Sequence, residues 1–374
     1  MIKNYLLRYF CFTLFLIAIT TKLMAQDAVF SQFYANKMYL NPAFTGFHLG
    51  TAANINYRSQ WANVRRGYSK FETRSLGVST NLPCYHSGFG LLYTDNTQGE
   101  GYLKWQNVAG SYAFTYDNDS DPNNSYQLSA GFKVGYNWRS VNWENFVFSD
   151  QLDALQGVIG ASQYTPPVNA ISQSKPYWDL DAGMVYFQEK VEMNNALIAK
   201  DFRAGFSVNH LIKNNLSLLG YNEYLTKRWT GHLSWLHPLN QARSEEERVY
   251  LNPMLRADFQ RASKNLAASM FMSWSYGAGI SSYNLYGGVY VQNQRFVPQI
   301  YNTNTLVCLM GYGWDMGSDL FVRFGISKDF NLSGFTNYGG GAWEASMIIN
   351  PKQSMFCNPD SKAYKRRMLN QCKY

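Results

Sequence analysis

After its first 25 residues the chain has no apolar run approaching about 18 residues, which excludes transmembrane helices. Charged residues make up only 16%, against about 25% in soluble domains, so an ordinary water-filled compartment is a poor fit. Cysteine is sparse: removing the first 25 residues leaves Cys84, Cys308, Cys357 and Cys372. No Cys/His spacing resembles a zinc site. Cys357 and Cys372 share the C-terminal tail and are near enough in sequence to pair, and an export compartment permits disulfides. The histidines His48, His86, His210, His232 and His237 form no metal-like group, and His232 and His237 fall on opposite faces of a strand. No GxSxG, HExxH, P-loop or GxGxxG stands in a suitable context. The chain therefore reads as non-enzymatic, with no catalytic, cofactor or metal residue assigned. Carboxylate dyads such as Asp179 and Asp181, same-face neighbours on a strand, could serve a barrel-embedded hydrolase, but no motif supports one.

Excess charge is also missing from the body. The net charge is +8, of which the leader holds Lys3, Arg8 and Lys22 with no acid. The tail from Pro351 to Tyr374 holds Lys352, Lys362, Lys365, Arg366, Arg367 and Lys373 against Asp360. The region between is neutral, which excludes a nucleic-acid-binding pattern.

What is present is an export signal. Lys3 and Arg8 form a basic start, Tyr9 to Ile19 an apolar stretch, and Ala25 a small residue at the expected cut. Cys11 lies inside that stretch, well before the cut, so a lipoprotein reading is not favoured.

Aromatics reach 17%, and alternation with a period of two dominates residues 50–350. Ala130, Phe132, Val134, Tyr136 and Trp138 share one face, and Gly131, Lys133, Gly135 and Asn137 the other. Such segments start near residues 50, 72, 86, 103, 125, 178, 200, 227, 249, 265, 284, 304, 319 and 342. That makes fourteen, an even number, as single-chain bacterial barrels require. The fold expected is an all-β transmembrane antiparallel barrel. The division is a signal at 1–25, a periplasmic lead-in at 26–49, the barrel at 50–350 and a periplasmic basic tail at 351–374. With the N-terminus in the periplasm, the long connections near 59–71, 140–177 and 212–226 face outward. The connections near 188–199 and 238–248 are longer than periplasmic turns usually run.

Between signal and first strand stands Ser31-Gln32-Phe33-Tyr34, then Asn36, then Asn41-Pro42-Ala43-Phe44-Thr45-Gly46. Tyr57-Arg58-Ser59-Gln60-Trp61, Gly311-Tyr312-Gly313-Trp314-Asp315 and Gly340-Gly341-Ala342-Trp343-Glu344 follow. In these stretches the chain resembles the PorP/SprF outer-membrane proteins of type IX secretion and gliding systems. Trp343 stands where that family usually has histidine, so no histidine role carries over. The resemblance implies a non-enzymatic outer-membrane component that supports secretion or surface attachment of an adhesin-like cargo through its type IX C-terminal domain. The implied partners are that cargo, other secretion or gliding proteins and outer-membrane lipid, with no nucleic acid and no cofactor.

Candidate contact residues follow from position. In the outer loops they are Tyr164, Pro166, Pro167, Tyr221 and Tyr224, since loop aromatics anchor partners. Trp61 and Trp143, close to strand ends, read as membrane-surface girdle residues. On the periplasmic side Asn41, Pro42 and Gly46 are read either as a turn or as a plug or docking element, and Lys365, Arg366 and Arg367 as a partner patch. The inward charges expected are Arg58, Lys133, Asp181, Arg203, Arg256, Asp258, Arg323 and Glu344. They either grip a segment or solute, or pair with one another to fill the interior. A porin or solute channel is the alternative function.

Overall fold

The computed structural model describes residues 27–351 except 49, 62–69, 100–101, 119–123, 144–145, 147, 154–156, 159, 161, 163–173, 194–196, 219–223, 241–247, 262–269, 283, 298–301, 318–319 and 333–340. Its strands are β1 (Thr51–Gln60), β2 (Lys70–Leu82), β3 (Ser87–Gly99), β4 (Leu103–Asn118), β5 (Asn124–Ser140), β6 (Leu152–Asp153), β7 (Gly157–Val158) and β8 (Tyr177–Met193). They continue with β9 (Leu197–Asn209), β10 (Arg228–Pro238), β11 (Tyr250–Arg261), β12 (Met270–Ser281), β13 (Leu285–Val297), β14 (Asn302–Asp315), β15 (Leu320–Asn331) and β16 (Ala342–Pro351). All except β6 and β7 form one closed antiparallel sheet of fourteen strands. Closure matters physically, because a sheet edge left unpaired in lipid costs several kcal/mol per orphaned backbone group. The seam is the β1–β16 pair, in register from Ala53 opposite Ile349 to Gln60 opposite Ala342. β6 and β7 make a separate two-stranded ribbon within the longest connection.

The alternation sorts side chains to the two faces. On β5, Phe132, Val134 and Tyr136 are exposed outward, while Gly131, Lys133, Gly135 and Asn137 are buried inward. On β16, Trp343 and Ala345 are exposed and Glu344 and Ser346 buried. The outer face therefore carries a belt of Leu, Val, Phe, Tyr and Trp suited to hydrocarbon, and the inner face is polar.

Connections are longest at the end where β1 finishes: residues 141–176 and 210–227 lie there. That end is the outer mouth, and the end where β1 starts and β16 finishes is the periplasmic mouth. The connection expected at 188–199 proves short, because β8 runs on to Met193 and β9 begins at Leu197. The 239–249 connection stays long.

Cys84, in the short β2–β3 turn at the periplasmic mouth, is disulfide-bonded, whereas Cys308 is free. Its other half lies outside the described residues. Peptide mapping without reductant is expected to recover the Cys84 peptide joined to a second peptide and Cys308 alkylated. An alkylated Cys84 in native protein would contradict this.

Candidate functional site

Residues 27–46 do not hang below the barrel. They fill it. Phe30, Ser31, Gln32, Phe33, Asn36 and Met38 are buried, and burial continues through Tyr39, Leu40, Asn41, Pro42, Ala43, Phe44 and Thr45. The periplasmic appendage expected from the sequence is corrected in this respect: the segment is a luminal plug. The physical reason is its composition. Its apolar side chains find no partner in water, and its amides and hydroxyls match polar groups on the inner wall.

Short helical turns shape the plug: Phe33–Ala35, Lys37–Leu40 and Pro42–Phe44. Asn41 caps the last, its Oδ1 accepting from Ala43 N at 2.9 Å, and Pro42 stands at the first helical position, where its missing N–H costs nothing. Gly46 then turns the chain out to β1 with φ +69°.

Two charge clusters seat the plug in the outer half of the lumen. At the seam, Arg58 and Glu344 are cross-strand partners on β1 and β16. Arg58 meets Asp329 Oδ2 at 2.8 Å and Glu344 Oε2 at 3.3 Å. The plug completes this cluster. Ser31 N donates to Glu344 Oε2 at 2.7 Å, Ser31 Oγ to Asp329 Oδ2 at 2.7 Å, and Gln32 N to Glu344 Oε1 at 3.1 Å. Gln32 Nε2 reaches Ser327 Oγ at 3.2 Å, and Ser346 Oγ donates to Gln32 Oε1 at 2.7 Å. One dipeptide thus bridges β1, β15 and β16 at the point of closure.

Across the lumen, Asp27 Oδ2 lies 2.7 Å from His210 Nε2 and 3.0 Å from Arg228 Nη1. His210 Nδ1 faces Asp179 Oδ2 at 2.5 Å, the His210 backbone N–H donates to Asp181 Oδ1 at 3.0 Å, and Lys133 Nζ holds Asp181 Oδ2 at 2.8 Å. Burial disfavours the Asp27 carboxylate, but the charges on His210 and Arg228 outweigh it and hold the carboxyl below its usual range. Burial likewise disfavours a charged His210, but Asp27 and Asp179 overcome it and raise the imidazolium to about 10. Asp179, Asp181 and His210 are grouped tightly enough to hold a metal ion. Their donor atoms are already engaged by Lys133, by Asp27 and by one another, so the chemistry of the group is that of an ion-pair cluster.

The wall is cut away to receive the plug. A Cβ at Gly131 would stand 2.6 Å from the Pro42 carbonyl carbon, and one at Gly183 would collide with the Asn41 side chain. Asn41 Nδ2 donates to the carbonyls of Met184 at 3.0 Å and Phe206 at 3.2 Å. Ser129 Oγ donates to Ala43 O at 2.7 Å and Ser207 Oγ to Leu40 O at 3.0 Å. Phe33 and Tyr290 meet edge to face at 6.4 Å.

A family model described as type IX secretion system membrane protein PorP/SprF matches residues 23–349. The chain belongs to that family. It is accordingly an outer-membrane component of type IX secretion. No curated protein matches. Among solved structures, a Pseudomonas aeruginosa FadL homologue is 11% identical with a TM-score of 0.38, over 84% of this chain and 92% of that one. The Pseudomonas putida toluene transporter TodX is 10% identical with a TM-score of 0.34, over 87% and 94%. BamA from Haemophilus ducreyi lacking POTRA domains 1–3 is 9% identical with a TM-score of 0.38, over 80% and 70%.

In this PorP/SprF protein the inward charges occupy four settings. Arg58 and Glu344 form the seam cluster, and Lys133 and Asp181 form part of the opposite one. Arg256 pairs with Asp258 at 2.8 Å, beside the Phe33 ring. Arg203 lies 3.6 Å from Asp201, and Arg323 stacks on Phe321 at 5.2 Å, both nearer the periplasmic mouth. Asn41, Pro42 and Gly46 lie within the barrel rather than on a free periplasmic surface. Tyr224 stands near the outer mouth, with Lys213 Nζ 3.9 Å from its ring centre. Tyr164, Pro166, Pro167, Tyr221, Lys365, Arg366 and Arg367 lie outside the described residues. Sequence reading missed Asp27, Ser31, Gln32, His210, Arg228 and Asp329. The available signal was the density of apolar residues in a segment expected to be free.

Arg58→Ala strands two buried carboxylates and is expected to destabilise the closed barrel by about 3–5 kcal/mol, read as a lower unfolding midpoint in detergent. Gly131→Val is expected to cost about 1–3 kcal/mol through overpacking against Pro42, with faster proteolysis near residues 40–46 as the readout.

The Asp27 cluster has a defined pH window. His210, raised from 6.5 to about 10, contributes fully below its unfolded value and is lost as pH rises through about 10. Asp27, lowered from 3.8, contributes above that value and is lost only in strong acid. The protection of amides at residues 27–31 relative to their intrinsic, base-catalysed exchange is expected to fall above about pH 10, and His210→Gln to abolish that step.

Proposed function

We propose that this PorP/SprF protein is an anchoring scaffold. It supports secretion or surface attachment of an adhesin-like cargo by engaging the cargo's type IX C-terminal domain at the outer mouth. The observation that carries this reading is the plug. A lumen filled by residues 27–46 and tied at two buried charge clusters suits a rigid platform better than a passage. Membership of a type IX secretion family supplies the biological setting.

The contacts proposed divide between the two ends. Tyr164, Pro166, Pro167, Tyr221 and Tyr224 in the outer connections meet the cargo, since aromatic anchors carry most of the energy of such interfaces. Lys365, Arg366 and Arg367 in the basic tail meet an acidic partner beneath the membrane. The alternative, a porin or solute channel, draws support from the polar inner wall and from a remaining cavity of about 450 Å³. The filled outer half of the lumen speaks against it.

Two measurements test the reading. In planar bilayers the intact protein is expected to be silent, and deletion of residues 27–46 to open a steady conductance. A steady conductance from intact protein favours the channel. In cells, deleting the gene should remove one or more large proteins from the surface, and an unchanged surface proteome would refute the scaffold role. Truncation after Asn350 is expected to leave the barrel folded and lower cargo display.

A further inference from the structure

Below the plug the lumen is not full. A cavity of about 450 Å³ remains, and its lining places it at the periplasmic mouth. Tyr250 begins β11, Ser281 ends β12 and Pro351 ends β16, and all three border it. The plug forms its far wall through Tyr34, Ala35, Lys37, Met38 and Phe44. Among the described residues the cavity is therefore blind, open toward the periplasm and closed by the plug on its far side.

Its chemistry differs from that of the outer half of the lumen. There, acids and bases alternate in contact. Here Lys37, Arg203 and Arg323 border the space, and no carboxylate does so among the described lining residues. Arg203 has Asp201 nearby and Arg323 stacks on Phe321, whereas Lys37 projects from the plug itself. Burial, then the charges of Arg203 and Arg323, push the Lys37 ammonium down to about 7, so the cavity repels its own cation when nothing anionic is present. The Tyr34 hydroxyl is buried and has no hydrogen-bond partner among the described residues. An unmet donor and a cation crowded by cations lie on the same wall. The remaining lining mixes the apolar side chains Met38, Met254, Leu309 and Phe321 with the polar ones His48, Asn54, Asn252 and Asn350.

We propose that this cavity is a docking pocket for the carboxylate-terminated apolar end of a partner polypeptide entering from the periplasm. The volume falls within the range of ordinary ligand sites, about 300–1,000 Å³. A single carboxylate needs one cation and one or two donors, which Lys37 and Tyr34 supply. A fatty acid shares the carboxylate and the apolar stem, so the test separates the two sources.

The probe is dansyl-Gly-Ser-Leu-Phe with a free carboxylate, titrated into the full chain in a non-ionic detergent. The acid is expected to bind about tenfold or more tighter than the same peptide ending in an amide. Lys37→Gln is expected to weaken the acid about tenfold and leave the amide unchanged. Tyr34→Phe removes one oxygen and is expected to weaken it severalfold, which keeps the test open if Lys37→Gln fails to fold. Folding of each variant is checked by heat-dependent gel mobility. Equal binding of acid and amide, no binding of the acid below about 1 mM, or binding of laurate with none of the peptide each overturns the proposal.

Discussion

A fourteen-stranded sheet closed on itself meets every backbone need in lipid, and by doing so creates a new problem. Its polar inner wall encloses more space than inward side chains can fill, and buried charges there must be paired or hydrated. The structure answers with its own N-terminal segment. Arg58 sits at the centre of that answer. It ties Glu344 across the β1–β16 seam and Asp329 on β15, and both carboxylates accept from Ser31 or Gln32 of the plug. The side chains that flank the closing seam are therefore the same ones that seat the plug.

The consequence is a molecule with two different ends. The outer half of the lumen is neutralised pair by pair, by Lys133 with Asp181, Arg256 with Asp258, and Asp27 with His210 and Arg228. The periplasmic half keeps a cavity with a cationic border. The longest connections leave the strands at the outer mouth, and the strand ends bordering the cavity lie at the other. The anchoring scaffold proposed above would use such polarity, with one face for what is displayed and another for what holds or delivers it.

The barrel was legible in the sequence because a strand separates its faces with a period of two. Phe132, Val134 and Tyr136 against Gly131, Lys133 and Gly135 admitted no helical reading, and the expected starts fall close to the observed ones. β12 departs most, beginning at Met270 rather than near 265. A plug was one of the alternatives read for Asn41, Pro42 and Gly46, but its extent and its place inside the lumen were not legible because its contacts are long-range. Ser31 and Glu344 are 313 residues apart, and Asp27 and His210 are 183 apart, so no local pattern joins them. Two clues were present in retrospect. Phe30, Phe33, Tyr34, Met38, Tyr39, Leu40 and Phe44 are too apolar for a free arm, and the glycines on the inward faces of β5 and β8 leave room for a second backbone. The motif segment was recognised as a unit, and its placement needed tertiary structure.

Whether the segment lies inside the barrel is the claim on which the rest stands. Hydrogen–deuterium exchange of the intact protein in detergent, followed in peptides covering residues 27–46, measures it without any substitution. Residues 33–46 are expected to exchange as slowly as the strands they pack against. Exchange at the rate of an unstructured peptide would place the segment outside the lumen and contradict the account.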